Sequence, residues 1–275
     1  MLDVAVAAAR RAVAVVRARA PDVAQLHWDE KGPSDFVTDV DRAAEHALRT
    51  EILGALPDAR VLGEELSPTE VAAAGRSTTR DVLFVADPLD GTTNFLHGYP
   101  AYAVSIAVLV DGELTAAVVI NAVTGDTYTA TAGHGAWRNG EPMNVSKIVT
   151  PSRALIGTGF PFSHLEWLDS YQPQFAAVAR QTAGIRRAGS AALDLADVAC
   201  GRFEGFWELM LAPWDIAAGI LLIREAGGIV TDLAGEPAYV AHTPLVAGNP
   251  VIHAWLLGTL ARASPTVSPL LPNTR

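Results

Sequence analysis

Two aspartates stand three residues apart in Asp87-Pro88-Leu89-Asp90-Gly91-Thr92-Thr93-Asn94. They follow an unbroken apolar run from Val82 to Ala86, the pattern of a strand buried on both faces. Asp87 therefore falls at a strand end, and Pro88 disfavours helical backbone there. Gly91 lets the chain approach a ligand closely. Two carboxylates and a backbone carbonyl on one tight turn form a hard-oxygen site suited to Mg²⁺. The backbone N–H groups after Gly91 are placed to hold an oxygen of a phosphate. An ordinary Asp/Gly turn after a strand has the same composition, so this stretch alone leaves both readings open.

Three further acidic patterns have the same double meaning. Gly63-Glu64-Glu65 ends the short strand candidate Arg60-Val61-Leu62, though adjacent glutamates are commonly a solvated face. Pro213-Trp214-Asp215 opens an apolar helix, where capping and the helix dipole by themselves favour an aspartate. Thr38-x-x-Asp41 is a capping-box pattern with Asp in place of the usual Glu. What separates these from chance is their common location. All four fall at element ends, where side chains converge in a cleft.

The elements that must position them are legible from periodicity. Residues 2–19 predict a helix, 26–36 a polar loop, and 39–56 a second helix with Val40, Ala44, Leu48 and Ile52 on one stripe. Ala103 to Val110 and Leu114 to Ile120 flank Asp111-Gly112, a strong hairpin signal. A strand over 127–131 and a turn at Asn139-Gly140 follow. The second half predicts strand 154–159, helices 165–183 and 190–200, strand 202–207, helix 214–226, strand 229–232 and helix 250–262. Mixed elements around an antiparallel middle point to a layered α+β or α/β sandwich. One domain of two tightly packed lobes is expected over 1–262, with a frayed Pro- and Ser-rich tail over 263–275.

Composition narrows the partners. The 275 residues carry a net charge of −10 and are half hydrophobic. Such a chain repels nucleic-acid phosphates and anionic membrane surfaces; an anionic substrate would need cations to mediate the contact. The single cysteine, Cys200, excludes a disulfide framework or a thiolate cluster, and a reducing cytoplasm is consistent with it. Arginines interrupt the apolar N-terminus, and no run of about 18 uncharged apolar residues spans a membrane. No P-loop pattern occurs, Gly157-Thr158-Gly159 lacks the third glycine of a dinucleotide fingerprint, and the histidines lack zinc spacing. Asp39-Val40-Asp41 imitates the D-x-D of aspartyl-nucleophile phosphatases, but it opens a helix and Ala43 stands where Thr or Val is needed. His97 reads as structural, and the tryptophans as packing, with Trp167, Phe160 and Phe162 as an alternative rim of the cleft.

Taken together, four segments closely resemble the inositol monophosphatase family. They are Lys31 to Asp41, Gly63-Glu64-Glu65, Asp87 to Pro100 and Trp214 to Gly228, with weaker likeness in Gly133 to Pro142 and Arg187 to Ala192. The resemblance spans roughly residues 5 to 260. It implies an αβαβα sandwich shared with fructose-1,6-bisphosphatases, in a cytoplasmic homodimer that is sensitive to lithium. It implies two to three Mg²⁺ ions held by Glu64, Asp87, the Leu89 carbonyl, Asp90 and Asp215. It further implies that Thr92, hydrogen-bonded to Asp41, activates the attacking water with help from Glu64. Gly91, Thr92 and Thr93 would bind the phosphate, and Ala191, Glu208 and Asp215 would line the substrate.

The implied substrate is a small phosphorylated polyol or sugar, with neither nucleic acid nor membrane as a direct partner. Relatives in this superfamily act on inositol phosphates, fructose 1,6-bisphosphate, histidinol phosphate or 3′-phosphoadenosine 5′-phosphate. Thr92-Thr93-Asn94-Phe95 after Asp90-Gly91 looks most like the inositol branch. A different class of role, binding to transcription machinery, is known among bacterial members and stays open beside the enzymatic one.

Overall fold

The computed structural model describes residues 1–25, 28–32, 35–65, 81–241 and 243–263. The tail expected over 263–275 lies, from 264 on, outside those residues. The first helix, α1 (Leu2–Arg19), buries Ala5, Ala8, Ala9, Ala12, Val13 and Val16. That is one stripe of a 3.6-residue repeat, and its small side chains allow close approach to a neighbour. The neighbour is α2 (Asp39–Ala55), which buries Val40, Ala44, Leu48 and Ile52.

Both helices cover one face of a seven-stranded sheet. Its order follows the chain: β3 (Arg60–Gly63), β4 (Val82–Asp90), β5 (Ala103–Val110), β6 (Glu113–Asn121), β7 (Thr127–Thr131), β8 (Ala136–Arg138) and β9 (Glu141–Met143). β3 and β4 are parallel and the remaining pairs antiparallel. Along β5 the two-residue period sorts side chains cleanly. Val104, Ile106 and Val108 join the α1/α2 core, whereas Ala103, Ala107 and Leu109 join a second core. Asp111 and Gly112 both take positive φ, 54° and 86°, the geometry of the expected hairpin turn.

The second core holds the middle layer, α5 (Ala191–Ala199) and α6 (Pro213–Glu225). Beyond it lies a five-stranded sheet built from β10 (Leu155–Thr158), β11 (Gly184–Arg186), β12 (Gly205–Leu211), β13 (Ile229–Thr231) and β14 (Thr243–Gly248), ordered β11-β10-β12-β14-β13. Its outer face packs on α4 (Leu168–Ala179) and α7 (Pro250–Ala263) through Tyr171, Val178, Trp207, Val246 and Leu256. The layers therefore run αβαβα, as the resemblance implied.

Several local readings change. The polar stretch over 26–36 contains a hairpin, β1 (Trp28–Gly32) with β2 (Asp35–Thr38); its charged composition hides the period. The helix expected over 165–183 is shortened to α4, preceded by a 3₁₀ turn over Leu165–Trp167. The strand placed at 202–207 runs Gly205–Leu211 instead, because the Arg202 and Phe203 N–H groups both donate to the Asp197 carbonyl and close α5. β14 was not anticipated, since Pro244 reads against a strand.

Candidate active site

A cavity of about 440 Å³ opens at the end of β4, and strand irregularity shapes its acidic wall. In an unbroken strand, residues three apart face opposite ways. The pairing of β4 with β5 shifts register between Asp87 and Asp90, and this lets both carboxylates line the same cavity. Asp87 Oδ1 accepts the Leu89 N–H at 2.9 Å, which tightens the turn. Gly91 then takes φ 95° just before the short helix α3 (Thr92–Leu96), and a Cβ there would stand 2.9 Å from the Ala101 carbonyl oxygen. Only glycine satisfies both conditions.

Asp215 reaches the same point from the first turn of α6, with one oxygen accepting the Ala212 N–H at 2.7 Å. One oxygen each of Asp87, Asp90 and Asp215 lies within 4.8 Å of the others. Glu64 lines the same cavity from the turn after β3. The parallel pairing Gly63↔Ala86 sets that turn beside Asp87. The turn is held from below by Glu45 of α2, fully buried, whose Oε2 accepts the Glu65 N–H at 2.8 Å. A Cβ at Gly63 would collide with the Glu45 carboxylate, so this glycine is required by contact and not by φ.

Electrostatics follow from this crowding. Burial, and then the charges of Glu64, Asp90 and Asp215, push Asp87 well above the usual carboxylate range. Burial and the charges of Asp90 and Glu64 do the same to Asp215. Asp90 is raised by burial, with the rise opposed by hydrogen bonds from Ser190 Oγ at 2.5 Å and the Ala192 N–H at 2.7 Å, at the start of α5. Like charges gathered out of water are costly unless cations join them. Their donors are all oxygens, the set that a hard divalent cation takes. The residues present therefore fit Mg²⁺, with the Leu89 residue also on the cavity wall.

Asp41 does not line the cavity but supports it. Its Oδ2 accepts the Thr38 N–H at 2.9 Å and the Thr38 hydroxyl at 2.5 Å, completing a capping box at α2. Its Oδ1 lies 2.9 Å from Thr92 Oγ1, which is also 3.0 Å from the Leu89 carbonyl oxygen. The Thr92 hydroxyl thus has two acceptors for its one proton and keeps lone pairs for another donor. Burial raises Asp41 against the hydrogen bonds it receives. Gly91, Thr92 and Thr93 all line the cavity.

The far wall comes from the second sheet. Glu208 on β12 lines the cavity, and burial lifts its carboxyl to about 8, partly opposed by the Arg187 charge. Phe160 and Phe162 line it too, whereas Trp167 packs against the outer core. Ala191 begins α5 behind Ser190 and is not among the described lining residues. His97 meets Trp28 edge-on at 6.2 Å, a packing role as expected. Trp207 is fully buried, but Trp28 and Trp137 are exposed.

Three participants had no role assigned from the sequence, although Asn94 and Arg187 lie in segments that carry the family likeness. Arg187 lines the cavity with its guanidinium over the Phe162 ring, 5.1 Å from the centroid. Asn94 Nδ2 donates to the carbonyls of Ala101 at 2.6 Å and Ala188 at 2.8 Å, tying the aspartate turn to the start of α5. Asp194 of α5 is 2 % exposed, and its Oδ1 has no hydrogen-bond partner among the described residues. Its carboxyl is driven well up by burial and then by the charges of Glu208 and Asp90. The one signal for Asp194 in the sequence is an acid in an otherwise apolar helix.

Comparison with known proteins gives a consistent picture. The profile of the inositol monophosphatase family matches residues 1–264. A relative from Pseudomonas aeruginosa named Nus factor SuhB is 44% identical over 262 residues, covering 94% of this chain and 95% of its own. The crystal structure of extragenic suppressor protein suhB from Bartonella henselae superimposes with a TM-score of 0.86 at 39% identity, covering 94% of this chain and 97% of that one. Inositol monophosphatase from Anabaena gives 0.82 at 36% identity, covering 96% of each chain.

Proposed function

The chain belongs to the inositol monophosphatase family, and we propose that it is a Mg²⁺-dependent phosphatase whose substrate is a small polyol phosphate, foremost inositol monophosphate. The convergence of Asp87, Asp90 and Asp215 in one cavity carries this reading. Those three, with Glu64 and the Leu89 carbonyl, would hold two to three ions. A bound divalent cation supplies Lewis-acid charge against the phosphoryl oxygens and makes water a stronger acid. The chain supplies the rest. Backbone N–H groups of Gly91, Thr92 and Thr93 bind phosphate oxygens. Thr92 directs its own proton to Asp41 and offers a lone pair to the water that attacks phosphorus, with Glu64 on the adjoining wall. The P–O bond to the alcohol breaks as the new one forms; the proton given up by the attacking water passes through Thr92 to Asp41, and the alcohol leaves with a proton from solvent. Glu208 and Asp215 contact the substrate's hydroxyls, and Ala191, at the start of α5, backs that wall without lining it. We take residues 1–262 as one such domain, assembled as a lithium-sensitive cytoplasmic homodimer.

Phosphate release from inositol 1-phosphate tests the proposal. It should require Mg²⁺ and be abolished by Asp90→Asn in a folded protein. Release of equal rate without divalent cation would overturn it. Histidinol phosphate and fructose 1,6-bisphosphate, assayed alongside, test the two alternative substrates.

The name Nus factor SuhB, carried by the Pseudomonas relative, favours a second reading: a binding role with transcription machinery. At a net charge of −10, such binding would run through protein contacts more readily than through nucleic acid. Retention of the host transcription complex by the inactive Asp90→Asn protein would support this role. Failure of the wild-type protein to retain that complex would count against it.

A further inference from the structure

Among the described residues lining the cavity, Arg187 is the one arginine, and no lysine joins it. Its guanidinium makes no hydrogen bond or ion pair with any described residue. It is instead seated over the Phe162 ring, 5.1 Å from the centroid, and Phe162 is itself 49% exposed at the mouth. A guanidinium carries its five donors in its own plane, so a contact through its face leaves them available. They stand in a cavity lined also by the carboxylates of Glu64, Asp87, Asp90, Glu208 and Asp215, while the imidazole of His164, also on the lining, is engaged with Glu166.

The position of Arg187 is fixed relative to the aspartates. It precedes Ala188, whose carbonyl accepts from Asn94, and Ser190, whose hydroxyl donates to Asp90. One short segment therefore fastens both the arginine and an aspartate of the cluster. The guanidinium lies over Gly189, where a Cβ would stand 2.6 Å from Arg187 Nη1, and it lines the same cavity as Glu208, the residue placed to meet substrate hydroxyls. A phosphate ester bound by its phosphate at the aspartates would extend its carbon skeleton between Glu208 and Arg187. A neutral polyol end leaves the five donors to water. An anionic end meets them with charge-assisted, bidentate geometry.

We propose that Arg187, seated on Phe162, is a specificity-determining residue that selects phosphate monoesters carrying a second anionic group, a carboxylate or a further phosphate, beyond the scissile ester. The proposal rests on the phosphatase reading of the cavity for the placement of the first phosphate. Within that activity it shifts the preference away from inositol monophosphate, whose distal end is neutral, to esters with a charged distal end.

Two matched pairs of ligands test it and separate the two anions. Fructose 1,6-bisphosphate against fructose 6-phosphate reports on a second phosphate. 3-Phosphoglycerate against glycerol 3-phosphate reports on a carboxylate. Equilibrium binding is measured by calorimetry on Ca²⁺-loaded protein, and phosphate release separately with Mg²⁺. Wild-type protein should bind the doubly anionic member of at least one pair about tenfold more tightly, the scale of a charge-assisted hydrogen bond. Arg187→Gln should bring that ratio to about one, and Arg187→Lys should reduce it less, because charge remains and the fork is lost. A wild-type ratio of one in both pairs, or a ratio that survives Arg187→Gln, overturns the assignment. An Arg187-dependent ratio without phosphate release would remove the phosphatase reading and keep the anion-selecting role. Phosphate release with ratios of one would do the reverse. No binding of any of the four ligands would overturn both.

Discussion

Thr92 has the clearest residue-scale consequence. Its hydroxyl touches both Asp41 and the Leu89 carbonyl but is not itself part of the carboxylate cluster. Under the proposed function, Thr92→Ala should therefore slow the chemical step by about 10²–10⁴-fold, the usual worth of a positioned proton acceptor. Cation affinity, measured by calorimetry, should change little. Wild-type turnover in that variant would refute the assigned role in water activation. The aspartates of this site were legible because their neighbours punctuate the chain, Pro88 and Gly91 around one pair and Pro213 before Asp215, although β4 does not end at Asp87 as expected but continues through a register shift to Asp90. Arg187 and Asp194 were not legible. Nothing in the order of residues says that an arginine will settle on Phe162, since that contact is made only once the second sheet is folded.

At the scale of elements, the turn after β3 depends on α2. The Glu45 carboxylate accepts the Glu65 N–H and occupies the space where a Cβ at Gly63 would go. Arg49, one helical turn on, pairs with Glu45 at 3.5 Å and donates to the Val61 carbonyl at 3.0 Å. Gly63→Ala must push this buried carboxylate aside. Overpacking of this kind costs about 1–3 kcal/mol, readable as a lower midpoint in denaturant. Because the shifted turn carries Glu64, the stabilisation conferred by Mg²⁺ should shrink as well. An unchanged Mg²⁺ effect would show that Glu64 takes no part in holding cations. Element reading from sequence did well where period and punctuation agree, as in α1, α2 and the β5–β6 hairpin. It failed for β1–β2, whose first strand is mostly charged, and for β14, whose Pro244 masks a strand seated between β12 and β13. In both, the pairing partner decides the structure, and local propensity does not.

The whole molecule carries a pH dependence set by its buried and half-buried carboxyls. Asp41, Asp87, Asp90, Asp194 and Asp215 are all raised from 3.8, and Glu208 from 4.5 to about 8. The folded chain keeps protons that the unfolded chain releases, so stability falls as pH climbs from the ordinary carboxylate values through these raised ones. Asp126, held low mainly by Arg138 and Asn139 against its burial, and His253, lowered by burial, act in the opposite direction at the acid end. In chelator, the melting temperature should be higher at about pH 5.5 than at pH 8 by several degrees. Mg²⁺ should close the gap mainly at pH 8. A melting temperature that rises steadily from pH 5.5 to 8 in chelator would contradict this balance.

The placement of α6 between the two sheets has one more result. Two of the clustered aspartates come from an early strand and the third from a helix much later in the chain, so no fragment ending before that helix can contain the centre. Such distant partners meet late, after the intervening chain has closed its loop. In refolding from denaturant, helical signal should recover before the capacity to bind divalent cations does, and that capacity should return together with the burial of Trp214 and its surroundings. Cation uptake would thus serve as a clock for the final docking of the two halves, audible only when the last piece has seated.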